Sequence, residues 1–270
     1  STSFSSSLSI EDSISNAFVF TDDNGNGVRN KTCQNAMTFE ESYVPPRSCE
    51  EAILGNRDKI AKYVSDIGAV IERTREIVGE KETKKRSYMR AHNLTRDDVF
   101  AIVMYSTDAG QTNREKKFYY VLNKALRCKD QKVIGLFRGY IWYLLRALKK
   151  MPSYNRMTYR GIGRRNFELA GIREGRVLEW RGFSSSTKDI SNAKDFAQKS
   201  GVVFRIITLS GSLIEAMSEF HEEKEVLLPP GIKLTVVKDP YVSAADGFTY
   251  VDLVELDKDF SWNISIAPLC

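Results

Sequence analysis

Histidine and cysteine are scarce in this sequence of 270 residues, which holds two of the first and four of the second. With only His92 and His221, and no Cys-x-x-Cys spacing among Cys33, Cys49, Cys128 and Cys270, no zinc or other metal site is indicated. An even cysteine count is compatible with two disulfides, Cys33 to Cys270 tying the ends among them, and equally with four free thiols. No apolar run approaches the length of a membrane span. No charge of one sign dominates, since the formal net charge is only +5. The densest basic run, Glu80 to Arg86, is interleaved with acids and reads as a solvated connection between helices. No aromatic stacking platform accompanies it, so no nucleic-acid partner is expected. A glycine-rich dinucleotide fingerprint at a strand-to-helix junction is absent, and so is any internal repeat.

What is present is ordinary globular composition, 42% apolar and 28% charged residues, enough to bury a core without metal or disulfide. The serine-rich start, Ser1 to Ile10, is expected to be mobile, within an extension covering residues 1–45. Asp22, Asn24, Asn26 and Gly27 imitate the opening of a calcium loop, but the position needing a bidentate glutamate is Cys33, which favours a plain turn. Sequons at Asn30, Asn93 and Asn263 are close to the roughly two that chance supplies. They leave secreted and cytoplasmic locations both open.

The periodicity changes once along the chain. From Cys49 to Met151 apolar residues recur at helical spacing: Ile60, Val64, Ile67, Val70 and Ile71; then Phe118, Val121, Leu122, Ala125 and Leu126; then Phe137, Ile141, Leu144, Leu145 and Leu148. Ser48 with Glu51 reads as a capping box, and Thr95 as a further cap. Beyond Pro152 the pattern alternates, in "RMTYRGI", "VLEWRGFSSST", "GVVFRIITL", "EVLLPP", "IKLTVVKDP" and "TYVDLVEL", with one helix, "SNAKDFAQKS", among them. A helical half of about 50–152 followed by a strand half of about 155–258 predicts one α+β domain over 46–270.

Three stretches of the strand half carry chemistry. "TYRGI" places Arg160 in a strand, where the plain reading is an exposed arginine. "GFSSST" alternates Phe183, Ser185 and Thr187, although serines at a strand end are commonly turn formers. "SEFHEEKEVLLPPG" crowds Glu222, Glu223 and Glu225 before the apolar run Val226 to Leu228. If that chain is extended from Glu223 onward, Glu223 and Glu225 share one face, and Glu222 and Lys224 the other. A guanidinium grips phosphate with two parallel hydrogen bonds, and a carboxylate stabilises an oxocarbenium-like centre. Together they suit a substrate with a pyrophosphate and a glycosidic bond to a cationic leaving group, such as NAD. By residue type alone, the carboxylate pair also fits a glycosidase.

Those three stretches, in this order and spacing, resemble the R–S–E motif set of the arginine-specific mono-ADP-ribosyltransferases. "FYYVLNKALR" and "WYLLRALKKMPS" extend the resemblance, which covers most of Phe100 to Val254. It implies a helical lobe packed on a split, two-sheet NAD-binding core. It also implies NAD as co-substrate, no metal, and an arginine-bearing target protein as partner. Arg160 would hold the NAD phosphates and ribose, and Gly161 and Phe183 would line the same site. Ser185 would orient the catalytic glutamate, with Ser186 and Thr187 completing the motif. Glu225 would stabilise the oxocarbenium, and Glu223 would position and activate the acceptor guanidinium. Ser218 and Phe220 would lie in the loop facing the target. This chain has Ser-Ser-Thr where Ser-Thr-Ser is common, which keeps every hydroxyl. An NAD glycohydrolase on the same fold and a non-catalytic interaction module are the alternatives. The oligomeric state is not indicated.

Overall fold

The computed structural model describes residues 37–38, 43–109, 111–163, 169–256 and 262–263. All of them belong to one compact unit, Ala36–Cys270. The calcium-like loop, the sequons at Asn30 and Asn263's flank, Cys33 and Cys270 lie at or beyond the edges of the described residues. Cys49 is buried and Cys128 exposed, and both are free thiols.

The helical half contains α1 (Cys49–Leu54), α2 (Arg57–Ile60), α3 (Ile67–Lys84), α4 (Arg86–Ala91), α5 (Arg96–Ser106), α6 (Phe118–Cys128) and α7 (Gln131–Lys150). Every apolar position predicted for its core is buried. Phe118 anchors the centre, meeting Phe137 and Tyr140 edge-on at centroid distances of 5.4 and 4.8 Å. Caps stand where the sequence places them, although at Ser48 the expected capping box is a single cap and the full box is at Thr95. Ser48 Oγ accepts from Glu51 N–H, and Thr95 and Asp98 form a reciprocal capping box at α5. Asp98 is fully buried and also receives Arg146 Nε at 2.8 Å and Lys150 Nζ at 2.6 Å, which fastens α5 to α7. The basic run at 80–86 is not a connection. Most of it is the last turn of α3, and α4 begins at Arg86.

The strand half comprises β2 (Ser153–Tyr154), β3 (Met157–Ile162), β4 (Val177–Trp180), β5 (Ser184–Thr187), β6 (Val202–Ile207), β7 (Gly211–Leu213), β8 (Glu225–Leu228), β9 (Ile232–Val236), β10 (Tyr241–Val242) and β11 (Thr249–Glu255). A further pair joins β1 (Met37–Thr38) to β12 (Trp262–Asn263) in parallel. The helix α8 (Ile190–Ala197) follows β5. Strand order is β2-β7-β8-β5-β3-β6-β11-β9-β4, with β10 added beside β11. Between β5 and β3 the ladder consists of one residue pair, Tyr159 with Thr187. All ten strands belong to one hydrogen-bonded ladder, and that junction marks off a four-stranded part, the smaller sheet, from a larger one, which is the form that the expected two sheets take here.

Val226 and Leu228 of the smaller sheet share a cluster with Phe204, Leu234 and Leu253 of the larger one, so the two sheets enclose a sandwich core. The opposite face of the smaller sheet gives Leu227, with Phe183, Ile214 and Met217 from its loops, to the helical core. "VLEWRGFSSST" is therefore two strands rather than one. It crosses between sheets at Arg181–Phe183, because β4 pairs with β9 and β5 with β8. Among the described residues no helix is long and apolar enough to cross a membrane.

Candidate active site

The split between β3 and β5 collects the predicted polar residues. In the β5–β8 register Thr187 lies opposite Glu225 and Ser185 opposite Leu227. Directly opposed residues share a face, and so do alternate residues of one strand. Ser185, Thr187 and Glu225 thus point to the same side. Glu225 is 5% exposed. Its carboxylate receives the Ser218 hydroxyl at 3.4 Å, and Ser185 stands on the same face of the neighbouring strand. Burial drives its pKa up to about 7; Ser185 opposes that shift, Glu223 adds to it, and Ser218 and Arg160 oppose it.

Arg160, on β3, donates from Nη1 to the carbonyl of Ser185 and lies 5.9 Å from the centre of the Trp180 ring. Burial lowers its pKa, and the positive charges of Arg127 and Arg114 lower it further. Three guanidinium groups, from β3, α6 and the short 3-10 turn Arg114–Lys116, thus lie within one another's electrostatic reach. Like charges are held near one another at a cost, and an anion with several oxygens relieves it. Arg114 was not singled out in the sequence, and Arg127 entered only as the last residue of "FYYVLNKALR".

The glutamate loop differs from the extended chain expected of it. His221–Glu223 forms a 3-10 turn and Lys224 is left-handed, with φ 50°. Extension begins only at Glu225. Alternation therefore does not relate Glu223 to Glu225. Glu223 nevertheless adds negative charge at Glu225, and burial, then Glu222, raises its own pKa. Lys224 turns to Asp189 at 2.7 Å, and the Glu222 carbonyl accepts from Asn192 Nδ2. Earlier in the loop, Lys81 Nζ donates to the carbonyls of Ala216 and Ser218, while Glu219 takes Arg73 Nε at 3.0 Å. One end of the loop is thus stitched to α3 and the other to α8.

Other motif positions are committed to the frame. Ser186 Oγ donates to Val226 O at 2.7 Å, and Thr158 Oγ1 lies 2.9 Å from both Ser186 Oγ and Thr187 O. Thr187 Oγ1 accepts from Asp189 N–H. Phe183 is buried in the helical core, 5.7 Å edge-on from Tyr105. Gly161 is where α8 meets β3, since a Cβ there would stand 1.7 Å from the Ala193 carbonyl oxygen. Tyr105, with a pKa that burial pushes up to about 12, donates to the Phe183 carbonyl at 3.4 Å, and Asn123 Nδ2 donates to its hydroxyl at 2.9 Å. Sequence periodicity hid both, because each occupies a core position of an apolar helix.

Known structures with this architecture define the class. The eucaryotic mono-ADP-ribosyltransferase ART2.2, as a mutant solved with NADH, superposes with a TM-score of 0.57 at 19% identity, covering 86% of this chain and 96% of that one. The ADP-ribosyltransferase HopU1 of Pseudomonas syringae gives 0.56 at 16% identity, covering 68% of this chain and 87% of that one. The fold is that of the ADP-ribosyltransferases. Residues 58–261 match the family described as NAD:arginine ADP-ribosyltransferase, and the chain belongs to it.

Human ecto-ADP-ribosyltransferase 5 is 27% identical over 72% of this chain, and the Tre1 protein-arginine ADP-ribosyltransferase of Serratia proteamaculans is 29% identical over 53%. Mav of Mycobacterium avium is 30% identical over 62% of the chain. The chain spans 66% of the human protein, 29% of Tre1 and 19% of Mav.

Proposed function

We propose that the chain transfers ADP-ribose from NAD to an arginine side chain of a protein, through a single domain of residues 46–270 with 1–45 as an extension. The observation that carries this reading is the buried Glu225, bonded to Ser218, on the same face as Ser185 and within the electrostatic reach of Arg160 and Glu223. Arg160, with Arg127 and Arg114 near it, binds the pyrophosphate. Ser185 orients Glu225. As the bond between ribose C1′ and the nicotinamide nitrogen breaks, its electron pair leaves with neutral nicotinamide, and the Glu225 carboxylate faces the cation left on the ribose. The positive nicotinamide ring also favours ionisation of a carboxyl group that burial had disfavoured.

A free guanidinium is protonated, with a pKa above about 12, and is a poor nucleophile. Glu223 orients it and accepts the proton lost as its nitrogen bonds to C1′. Its raised pKa suits it to hold that proton. Ser186, Phe183 and Gly161 serve the site through the frame that they build. Slow hydrolysis accompanies transfer when water takes the place of the acceptor. The reaction as drawn needs neither a metal nor a second cofactor.

The test compares Glu222→Gln, Glu223→Gln and Glu225→Gln, measuring released nicotinamide and labelled arginine acceptor side by side. Glu225→Gln is expected to lose both, Glu223→Gln to lose transfer while keeping hydrolysis, and Glu222→Gln to keep both. Equal behaviour of the three would make the loop a generic acidic surface.

A further inference from the structure

Ser218 is fully buried, and hydrogen bonds hold it at three points. Its N–H donates to the Ile214 carbonyl at 2.9 Å, as does the Met217 N–H, so Ile214 to Ser218 closes a single helical turn. Its own carbonyl accepts from Lys81 Nζ at 2.8 Å, and the same ammonium reaches the Ala216 carbonyl at 3.3 Å. Its hydroxyl accepts from the Phe220 N–H at 3.3 Å. Two of these ties belong to the loop itself. The third comes from the last turn of α3, in the helical half. Carbonyls at the end of a helical turn have no partner within it, and a cationic donor satisfies them. Lys84, in the same last turn of α3, spends its charge on Glu80 instead, at 2.9 Å.

This seat serves a hydroxyl that meets the reacting carboxylate. Ser218 Oγ stands 3.4 Å from Glu225 Oε2. Bonds between a hydroxyl and an oxygen are commonly about 2.5–3.0 Å long, so this one is at the outer edge of the range. A small displacement of Ser218 decides whether it is made. With N–H and carbonyl both held, the Cα is fixed and only χ1 is left. The Phe220 N–H then selects the rotamer in which the hydroxyl faces Glu225. The turn also starts against β8, since the Ile214 N–H donates to the Glu225 carbonyl at 3.1 Å. It is thus anchored beside Glu225 at one end and to α3 at the other. Ties further along act on the stretch toward Glu223: the Glu219 N–H donates to Ser106 Oγ at 3.0 Å, and the Glu219 carboxylate takes Arg73.

We propose that Lys81 is a positioning residue, which holds the Ser218 carbonyl from α3 and so keeps the Ser218 hydroxyl on the Glu225 carboxylate while the nicotinamide bond breaks. The proposal rests on the catalytic reading of Glu225.

Nicotinamide release without an acceptor, taken per NAD-binding site, isolates the Glu225 side from Glu223. Normalising to binding sites also removes any loss of folded protein. Ser218→Ala is expected to reduce kcat about tenfold, the low end for a hydrogen bond to a charged group. Lys81→Met keeps the aliphatic stem and should reduce kcat about fivefold, with KM for NAD within about twofold, because it acts through that same bond. The double variant should fall within about twofold of Ser218→Ala alone, since two residues acting through one bond are not additive. Lys84→Met is the control and should leave kcat and KM unchanged. If Lys81→Met does not fold, Lys81→Gln takes its place in the cycle with the same expectations. An unchanged kcat, a loss confined to KM, or losses that multiply in the double variant would overturn the proposal. Glu225→Gln, assayed alongside, separates the two claims. Retained nicotinamide release there overturns the catalytic reading itself. Lost release there, with losses that multiply between Lys81 and Ser218, overturns only the assignment of Lys81.

Discussion

Between Cys49 and Met151 the chain buries one continuous apolar cluster, in which Phe118, Phe137, Tyr140 and Leu144 are almost wholly hidden. Beyond Ser153 the buried residues fall into thinner groups: one within the sandwich, one under α8, and the face of the smaller sheet that leans on the helices. The helical half has a single interior and few polar residues in it. The strand half is divided by a junction of one residue pair, and five of the ten buried polar residues described there, Thr158, Ser184, Ser186, Thr187 and Glu225, stand on β3, β5 and β8 around it. A deep core supplies stability but tolerates little chemistry, because an unpaired polar group inside it is costly. A split between sheets leaves room for a carboxylate that is buried yet reachable. The two halves meet at Tyr105 and Asn123, where the rigid interior backs the reacting groups.

The contrast is broken most strongly from the helical side. Phe137→Ala removes a fully buried ring and is expected to destabilise the fold by about 3–5 kcal/mol, read by denaturant unfolding. KM for NAD in the fraction still folded should change little.

From the strand side, Glu225→Gln should lower nicotinamide release by about 10²–10³, a transition-state loss of roughly 2.7–4 kcal/mol. Stability should move the opposite way. The folded carboxyl, with a pKa raised to about 7, keeps a proton that the unfolded chain has already released. Between the unfolded carboxylate value, about 4.3, and that raised value, the native state binds more protons, so stability falls as pH rises. Glu225→Gln should flatten that fall, giving a variant that is inactive but no less stable at pH 8. A steeper fall in the variant would contradict the burial argument.

Gly161→Ala tests the frame between these extremes. The added methyl meets the backbone of α8, and a loss of about 1–3 kcal/mol is expected, with α8 displaced and NAD affinity reduced. Smallest is Arg73→Ala, which cuts the half-exposed pair to Glu219 and should cost at most about 1 kcal/mol. Its sharper readout is the ratio of transfer to hydrolysis, since the released loop carries Glu223. An unchanged ratio would mean that the remaining Lys81 contacts suffice to place the loop.

The helical half was legible almost residue by residue, because a stripe of Phe118, Val121, Leu122, Ala125 and Leu126 admits few interpretations. Strands were legible as runs, except the two-residue β2 and β10 and the three-residue β7, which are too short to show alternation. "VLEWRGFSSST" misled because alternation continues through a crossing that only the pairing partners reveal. In the loop before β8, sequence spacing put Glu223 on a face with Glu225, and the left-handed Lys224 undid that geometry while leaving the two carboxylates electrostatically close.

By itself the sequence determined the change from helical to alternating period, the order of the three motif stretches, and Arg160, Ser185, Glu223 and Glu225 as the residues to watch. Those features are local: a period, a spacing and a residue type are all written along the chain. Only the tertiary structure decided that Ser186 ties β5 to β8, that Gly161 admits α8, and that Tyr105 joins Asn123 to the Phe183 carbonyl. Tyr105 and Phe183 are far apart in sequence, and no local pattern encodes their meeting. It follows from the packing of a helical core against one face of a split sheet, where burial also moves the carboxyl group toward neutrality.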